Sequence, residues 1–127
     1  RLFFSVKKQE WKSAEQPDKH IFYSPVFWDP AMSGKWIQIA TVYDTEAEQV
    51  THYIDGRPVS TEPVPDGYLV EQVQIGAASI GNWSEPKHRK DPHFAMRNLN
   101  GSIDEFAIYN VALDADEIAK LYEIGKP

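Results

Sequence analysis

Apolar residues along this chain fall into short runs separated by turn residues, and only the last run carries a helical period. Leu2 to Val6 reads as a strand, followed by a polar connection from Lys7 to Lys19 that contains Trp11. His20 to Ser24 is a second short strand, ended by Pro25, and Val26, Phe27 and Trp28 form an aromatic knot before the turn Asp29-Pro30. Trp36 to Tyr43 is the longest predicted strand. Its β-branched residues sit on both parities, which points to a central strand covered on two faces. Trp28 and Trp36 are read as core.

Gln49 to Ile54 and Arg57 to Ser60 flank Asp55-Gly56, the strongest hairpin signal a sequence offers. Pro58 has no N–H for a ladder, so the second arm is expected at an edge. Pro63, Pro65 and Gly67 make a loop, and Leu69 to Gly76 predicts another strand, with Val73 and Ile75 alternating against Gln72 and Gln74. From Ala77 to Leu99 the pattern weakens. Pro86 to His93 is a basic loop, and loops longer than ~12–15 residues inside a domain are more often functional than not.

Asn100-Gly101 is a turn signal, since both residues tolerate positive φ. Ile103, Phe106 and Ile108 predict a buried strand ending at Tyr109, with the alternation broken at Asp104-Glu105 by a bulge or by cover on both faces. A helix follows. Asp114 is its N-cap, Glu117 completes a capping box, and Leu113 and Ile118 form a hydrophobic staple. Ala115, Ile118, Ala119 and Tyr122 make one apolar stripe, Gly125 suits the left-handed position after the helix, and Pro127 prevents continuation. So short a helix is marginal alone, so the stripe is expected to dock on a sheet.

The run Gly101 to Asn110, then Ala112-Leu113, Glu117-Ile118, Leu121-Tyr122 and Gly125, resembles the C-terminal signature of the laminin-G-like jelly-roll family. That family has the concanavalin A-like lectin/glucanase fold. Gly34, Trp36, Ala40, Tyr43, Asp44, Tyr53, Asp55, Gly56, Ile75 and Gly76 also stand where the family's motifs place such residues. The resemblance covers residues 33–125, and residues 1–32 carry no placed signature. It implies a single domain over 1–127: an all-β sandwich of two antiparallel sheets with one short C-terminal helix, here lacking its N-terminal strands. Strand surface left uncovered by that loss predicts self-association, with Leu2 to Val6 at the contact and Phe3 and Phe4 covered by the partner.

Composition changes the picture in a few places. With 127 residues, 42 % hydrophobic and 25 % charged, the chain is an ordinary globular domain with a sizeable core. A net charge of −6 argues against nucleic acid as a partner. No apolar run approaches the ~18 residues of a membrane span. The chain opens on Arg1-Leu2-Phe3-Phe4 without a starting methionine, and reads as a piece of a longer protein. Without cysteine it has no disulfide scaffold and no thiol chemistry.

Retaining glycosidases need two carboxylates ~5–5.5 Å apart. The resemblance implies that a hydrolase of this fold would carry them on a Glu-x-Asp-x-x-Glu strand. Aligned on Asp104, those positions hold Ser102 and Ala107, so the pair is absent and the chain is expected not to be an enzyme. His88 and His93 lie five apart in one loop, a spacing weaker than a zinc pair and far better explained by a solvated loop. Calcium is the metal the resemblance implies, with Asp104 and Glu105 as first candidates and Asp44 and Asp55 as others. Each has a plainer role: Asp55 in a turn, Asp44 at a strand end, Asp104-Glu105 around a bulge.

Trp83 beside Asn82 is the candidate sugar contact, with His88 and His93 in the loop beyond. Sugars offer C–H faces to rings and hydroxyls to amides. A tryptophan after a strand is more commonly a lid over the core. The resemblance therefore implies a non-catalytic recognition module of a larger bacterial extracytoplasmic protein, with carbohydrate or another cell-surface ligand as target. A structural or protein-interaction module and a divergent glycoside hydrolase are the rivals.

Overall fold

The computed structural model describes residues 1–8, 19–70, 78, 80–83 and 97–126, with the backbone alone at 82, 83, 97 and 98. The chain divides into two units, one made of Arg1–Glu71 with Tyr109–Pro127 and one of Gln72–Ile108.

In the first unit, β1 (Phe3–Lys7) pairs antiparallel with β2 (Lys19–Tyr23), placing Phe4 opposite Phe22 and Val6 opposite His20. Ser24, buried, holds the start of this ladder. Its N–H donates to the Leu2 carbonyl at 3.1 Å and its Oγ accepts from the Leu2 N–H at 2.8 Å. A second sheet contains β3 (Ile39–Asp44), β4 (Gln49–Ile54) and β5 (Arg57–Pro63) in sequence order, both pairs antiparallel. Among the described strands Pro58 lies on an edge strand, which suits its missing donor. The register slips there: His52 faces Ser60 while Tyr53 faces Pro58, leaving Val59 as the extra residue of a bulge.

The turn between β4 and β5 explains where β3 begins. Asp55 and Gly56 have φ of 50° and 73°, both left-handed, as a two-residue primed turn demands. Gln38 then serves that turn. Its N–H donates to Asp55 Oδ1 at 2.9 Å, its carbonyl accepts from the Asp55 N–H at 3.0 Å, and its Oε1 accepts from the Gly56 N–H at 3.0 Å. The strand expected from Trp36 therefore starts only at Ile39. Among the described strands its one ladder partner is β4. In a three-strand meander the middle strand is central, and β4 is buried on both parities at Val50, Thr51, His52 and Tyr53.

One face of β4 meets the β1–β2 ladder. Val50 joins Val6, Phe22, Val64 and Tyr68 in the core, with Phe4, Tyr43, Leu69 and Val70 packed around them. The Tyr43 hydroxyl donates to the Tyr68 carbonyl at 2.7 Å and accepts from the Val70 N–H at 2.9 Å, tying that segment to the sheet. Tyr53 is on the opposite parity. Burial and then the nearby Asp114 carboxylate raise its phenol above the ordinary range.

Helix α1 (Ala115–Gly125) carries the expected capping box: Glu117 N–H donates to Asp114 Oδ1 at 2.8 Å and Asp114 N–H donates to Glu117 Oε2 at 2.9 Å. Ile118 is its buried residue, and Ala119 and Tyr122 sit over Gly56. The end differs from expectation. Gly125 is the last helical residue, not a left-handed cap, and Lys126 adopts φ −59°, ψ 129°. A residue preceding proline is pushed toward that extended region, so Pro127 stops the helix without help from Gly125.

In the second unit, β6 (Asn82–Trp83) pairs antiparallel with β7 (Arg97–Asn98). The predicted strand through Ile103, Phe106 and Ile108 is not one: these residues are exposed, and no described ladder includes them. Asp104-Glu105 breaks the alternation that would give a strand one face to bury, and a strand is held only by its ladder partners. Nor does Asn100-Gly101 use positive φ; the chain bends at Gly101 without it. The Leu69 to Gly76 strand, the Trp11 connection and the basic loop with His88 and His93 fall wholly or mainly outside the described residues.

Candidate functional site

The structure describes only some of the residues that the sequence nominated. Asn82 and Trp83 form β6, opposite Asn98 and Arg97, so Trp83 belongs to a ladder rather than to a loop. His88 and His93 lie outside the described residues. Asp104 and Glu105 are exposed, and among the described residues no group of three His, Asp or Glu side chains is placed to hold a metal.

Several carboxylates of the first unit are engaged with backbone. Asp44 Oδ1 accepts from the N–H groups of Glu46 and Ala47, both at 2.9 Å, closing the β3–β4 turn. Asp55 accepts from Gln38, Asp29 caps the short 3-10 turn at Pro30–Met32 by accepting from Ala31 at 2.7 Å, and Asp114 caps α1. Glu62 Oε1 accepts from the Tyr23 N–H at 3.1 Å, joining β5 to β2. Charged acceptors on backbone N–H groups make strong hydrogen bonds, and such carboxylates are poorly available as acids, bases or calcium ligands.

A shallow cleft of about 510 Å³ lies between the β4–β5 turn and α1, with Asp55, Arg57, Val59, Tyr122, Glu123 and Lys126 in its wall. Its charges answer one another. Lys126 Nζ donates to Glu123 at 2.7 Å and sits 4.8 Å from the Tyr122 ring centroid, and the Glu123 hydrogen bond raises the Lys126 ammonium above its usual range. The cleft is the seam along which helix and hairpin dock.

Aromatic surface is the feature the sequence misjudged. Trp28 and Trp36, expected in the core, are 55 % and 52 % exposed on either side of the 3-10 turn. Phe3 and Tyr23 face each other across β1 and β2 with ring centroids 6.3 Å apart, and both lie on the outer face. Phe4, expected under a partner chain, instead packs on Phe22 and Tyr43 of its own unit. Strict alternation in Phe3-Phe4-Ser5-Val6-Lys7 separates the two phenylalanines, but only the pairing with β2 says which of them points inward.

A laminin G-like family model, described as concanavalin A-like lectin/glucanases superfamily, matches residues 7–119. No curated protein matches the chain. Among solved structures, an S-layer domain-containing protein from Clostridium thermocellum is similar at 27 % identity and a TM-score of 0.45. The alignment covers 83 % of this chain and 46 % of that one, so the chain spans about half of its length.

Proposed function

This chain belongs to the laminin G-like part of the concanavalin A-like lectin/glucanases superfamily, and on that premise we propose that it is a non-catalytic recognition module of a larger bacterial extracytoplasmic protein, with carbohydrate as its ligand. The observation that carries the reading is the use of carboxylates. Asp29, Asp44, Asp55, Glu62 and Asp114 each accept backbone hydrogen bonds, a structural use of carboxylates that supports a binding role over a hydrolytic one. The half-exposed indoles of Trp28 and Trp36 and the ring pair Phe3–Tyr23 supply the flat apolar faces on which sugar rings stack. Trp83 with Asn82 remains a further contact of the same kind.

A glycan array probed with and without calcium tests this reading. Retention of one class of glycan, weakened by Trp28→Ala or Trp36→Ala, is the expected result. No retention on any glycan, together with a protein partner recovered in its place, would make it an interaction module. Hydrolysis of a β-glucan that is lost on substituting Asp104 or Glu105 would make it an enzyme. Self-association has separate support in the exposed Ile103, Phe106 and Ile108, and light scattering across a concentration series measures it.

A further inference from the structure

Three places in the chain set a side-chain carbonyl carbon beside a glycine N–H: Asp55-Gly56, Asp66-Gly67 and Asn100-Gly101. In each, the glycine nitrogen can close a five-membered ring on the neighbouring Cγ, because no Cβ shields it and the two atoms share one chain. The structure treats the three differently. Gln38 occupies both reacting groups of the first: its N–H donates to Asp55 Oδ1 at 2.9 Å, and the Gly56 N–H donates to its Oε1 at 3.0 Å. Asp66 and Gly67 lie inside a turn closed by the Tyr68 N–H on the Pro65 carbonyl at 3.1 Å, with Gly67 at φ 81°. Both pairs also present a carboxylate, whose negative charge repels a nucleophile. Asn100 presents a neutral carboxamide. It and Gly101 are exposed, and among the described residues no hydrogen bond holds that carboxamide or the Gly101 N–H.

We propose that Asn100 is a site of spontaneous deamidation. The Gly101 nitrogen gives up its proton to base and attacks Asn100 Cγ. A new N–Cγ bond closes a succinimide, and the Cγ–Nδ2 bond breaks, releasing ammonia. Water then opens the ring: attack at the main-chain carbonyl leaves isoaspartate, and attack at Cγ leaves aspartate. One water is consumed and one ammonia released, with no change of oxidation state. The other asparagines, Asn82, Asn98 and Asn110, precede Trp83, Leu99 and Val111, whose side chains screen the attacking nitrogen, and the first two face each other in the β6–β7 ladder. Deamidation adds one negative charge to a net charge of −6, just before the exposed run of Ile103, Phe106 and Ile108. The isoaspartate form also adds a methylene to the main chain soon after it leaves β7. The change is one-way, so its extent records the age of the chain.

The test is peptide mapping by mass spectrometry after the whole chain is incubated at mildly alkaline pH, folded or in urea. In the folded chain, Asn100 is expected to convert to isoaspartate and aspartate at least about tenfold faster than Asn82, Asn98 or Asn110, a barrier lower by about 1.4 kcal/mol. Its rate should be close to that in urea. Gly101→Ala should slow the conversion at least about tenfold. The added Cβ would make only ordinary contacts, 3.8 Å from Leu99 Cγ, and Gly101 has no left-handed φ, so this variant keeps the fold while screening the nitrogen. Asn100→Gln, whose ring would need six members, should stop the reaction at this position. An unchanged Asn100 peptide, or equal conversion at the other asparagines, would overturn the proposal. So would undiminished conversion in Gly101→Ala, or a folded-state rate about tenfold or more below that in urea, since the fold would then be protecting the site.

Discussion

The imidazole of His52 reaches the backbone carbonyl of Phe22, Nε2 to oxygen at 3.3 Å, and so links β4, the middle strand of its sheet, to β2 of the other. A carbonyl oxygen only accepts, so Nε2 carries the proton. Nδ1 is then the acceptor for the Thr41 hydroxyl at 2.8 Å. The ring is fully buried and both nitrogens are used. His52→Ala is expected to cost ~2–5 kcal/mol, since it opens a cavity and strands two polar partners. Thr41→Val, which removes one bond from the same ring, should cost about 1 kcal/mol. Urea denaturation midpoints for the two variants check the order; no loss in Thr41→Val would mean that the ring contributes packing alone.

The helix seat is tested at Gly56. A Cβ there would lie 3.0 Å from Tyr122 Cβ and 3.1 Å from Ala119 Cα, on a residue whose φ is 73°. Gly34 has a similar φ of 76° but nothing within 4 Å of its would-be Cβ. Gly34→Ala is therefore expected to lose about 1 kcal/mol through the backbone, and Gly56→Ala ~2–4 kcal/mol through backbone and collision together. Thermal melting of both variants separates the two contributions by subtraction.

On the helix itself, Asp114→Ala should cost ~0.5–2 kcal/mol through the lost cap. Ile118→Ala, at the helix's buried residue, should cost ~2–5 kcal/mol. An Ile118→Ala midpoint equal to that of the parent would show an undocked helix.

Alkali gives a signed prediction at Tyr53. Its phenol is raised above the ordinary value of a free tyrosine, about 10, by burial and then by the Asp114 charge. The folded state thus prefers the neutral phenol more strongly than the unfolded chain does. That contribution is complete below about pH 10 and disappears as pH rises through the higher folded value. Tyr53→Phe should flatten the alkaline fall in stability, and Asp114→Asn should shift phenolate formation to lower pH in an ultraviolet titration.

What the sequence revealed depended on how local the deciding interactions are. The Asp55-Gly56 turn and the Asp114–Glu117 box are set by a few adjacent residues, and both were legible. The edge position of β5 among the described strands followed from the missing N–H of Pro58. Residues whose state depends on a distant partner were misread. Trp36 was assigned to a strand and to the core, yet Gln38 is diverted to serve a turn seventeen positions away and the strand begins after it. Ile103, Phe106 and Ile108 have strand-forming side chains, but no pattern in their own stretch names a ladder partner. For the candidate site, Trp28 and Trp36 were read as core and Phe3 as covered by a partner, because the pairing of Phe3 with Tyr23 on one outer face exists only once β1 is registered on β2.

The first unit is assembled from two stretches of sequence with Gln72–Ile108 between them, and this sets an order of events on the ribosome. The β4–β5 hairpin closes through neighbours and is complete long before Tyr122 is synthesised, so Gly56 presents its bare side to water in the interval. Docking of α1 is a late clasp across roughly sixty positions. The entropy of closing such a span grows only logarithmically, by ~0.6 kcal/mol for each doubling of length. The intervening stretch is accordingly a place where a lineage can lengthen, trim or exchange sequence while the clasp at Gly56 still shuts.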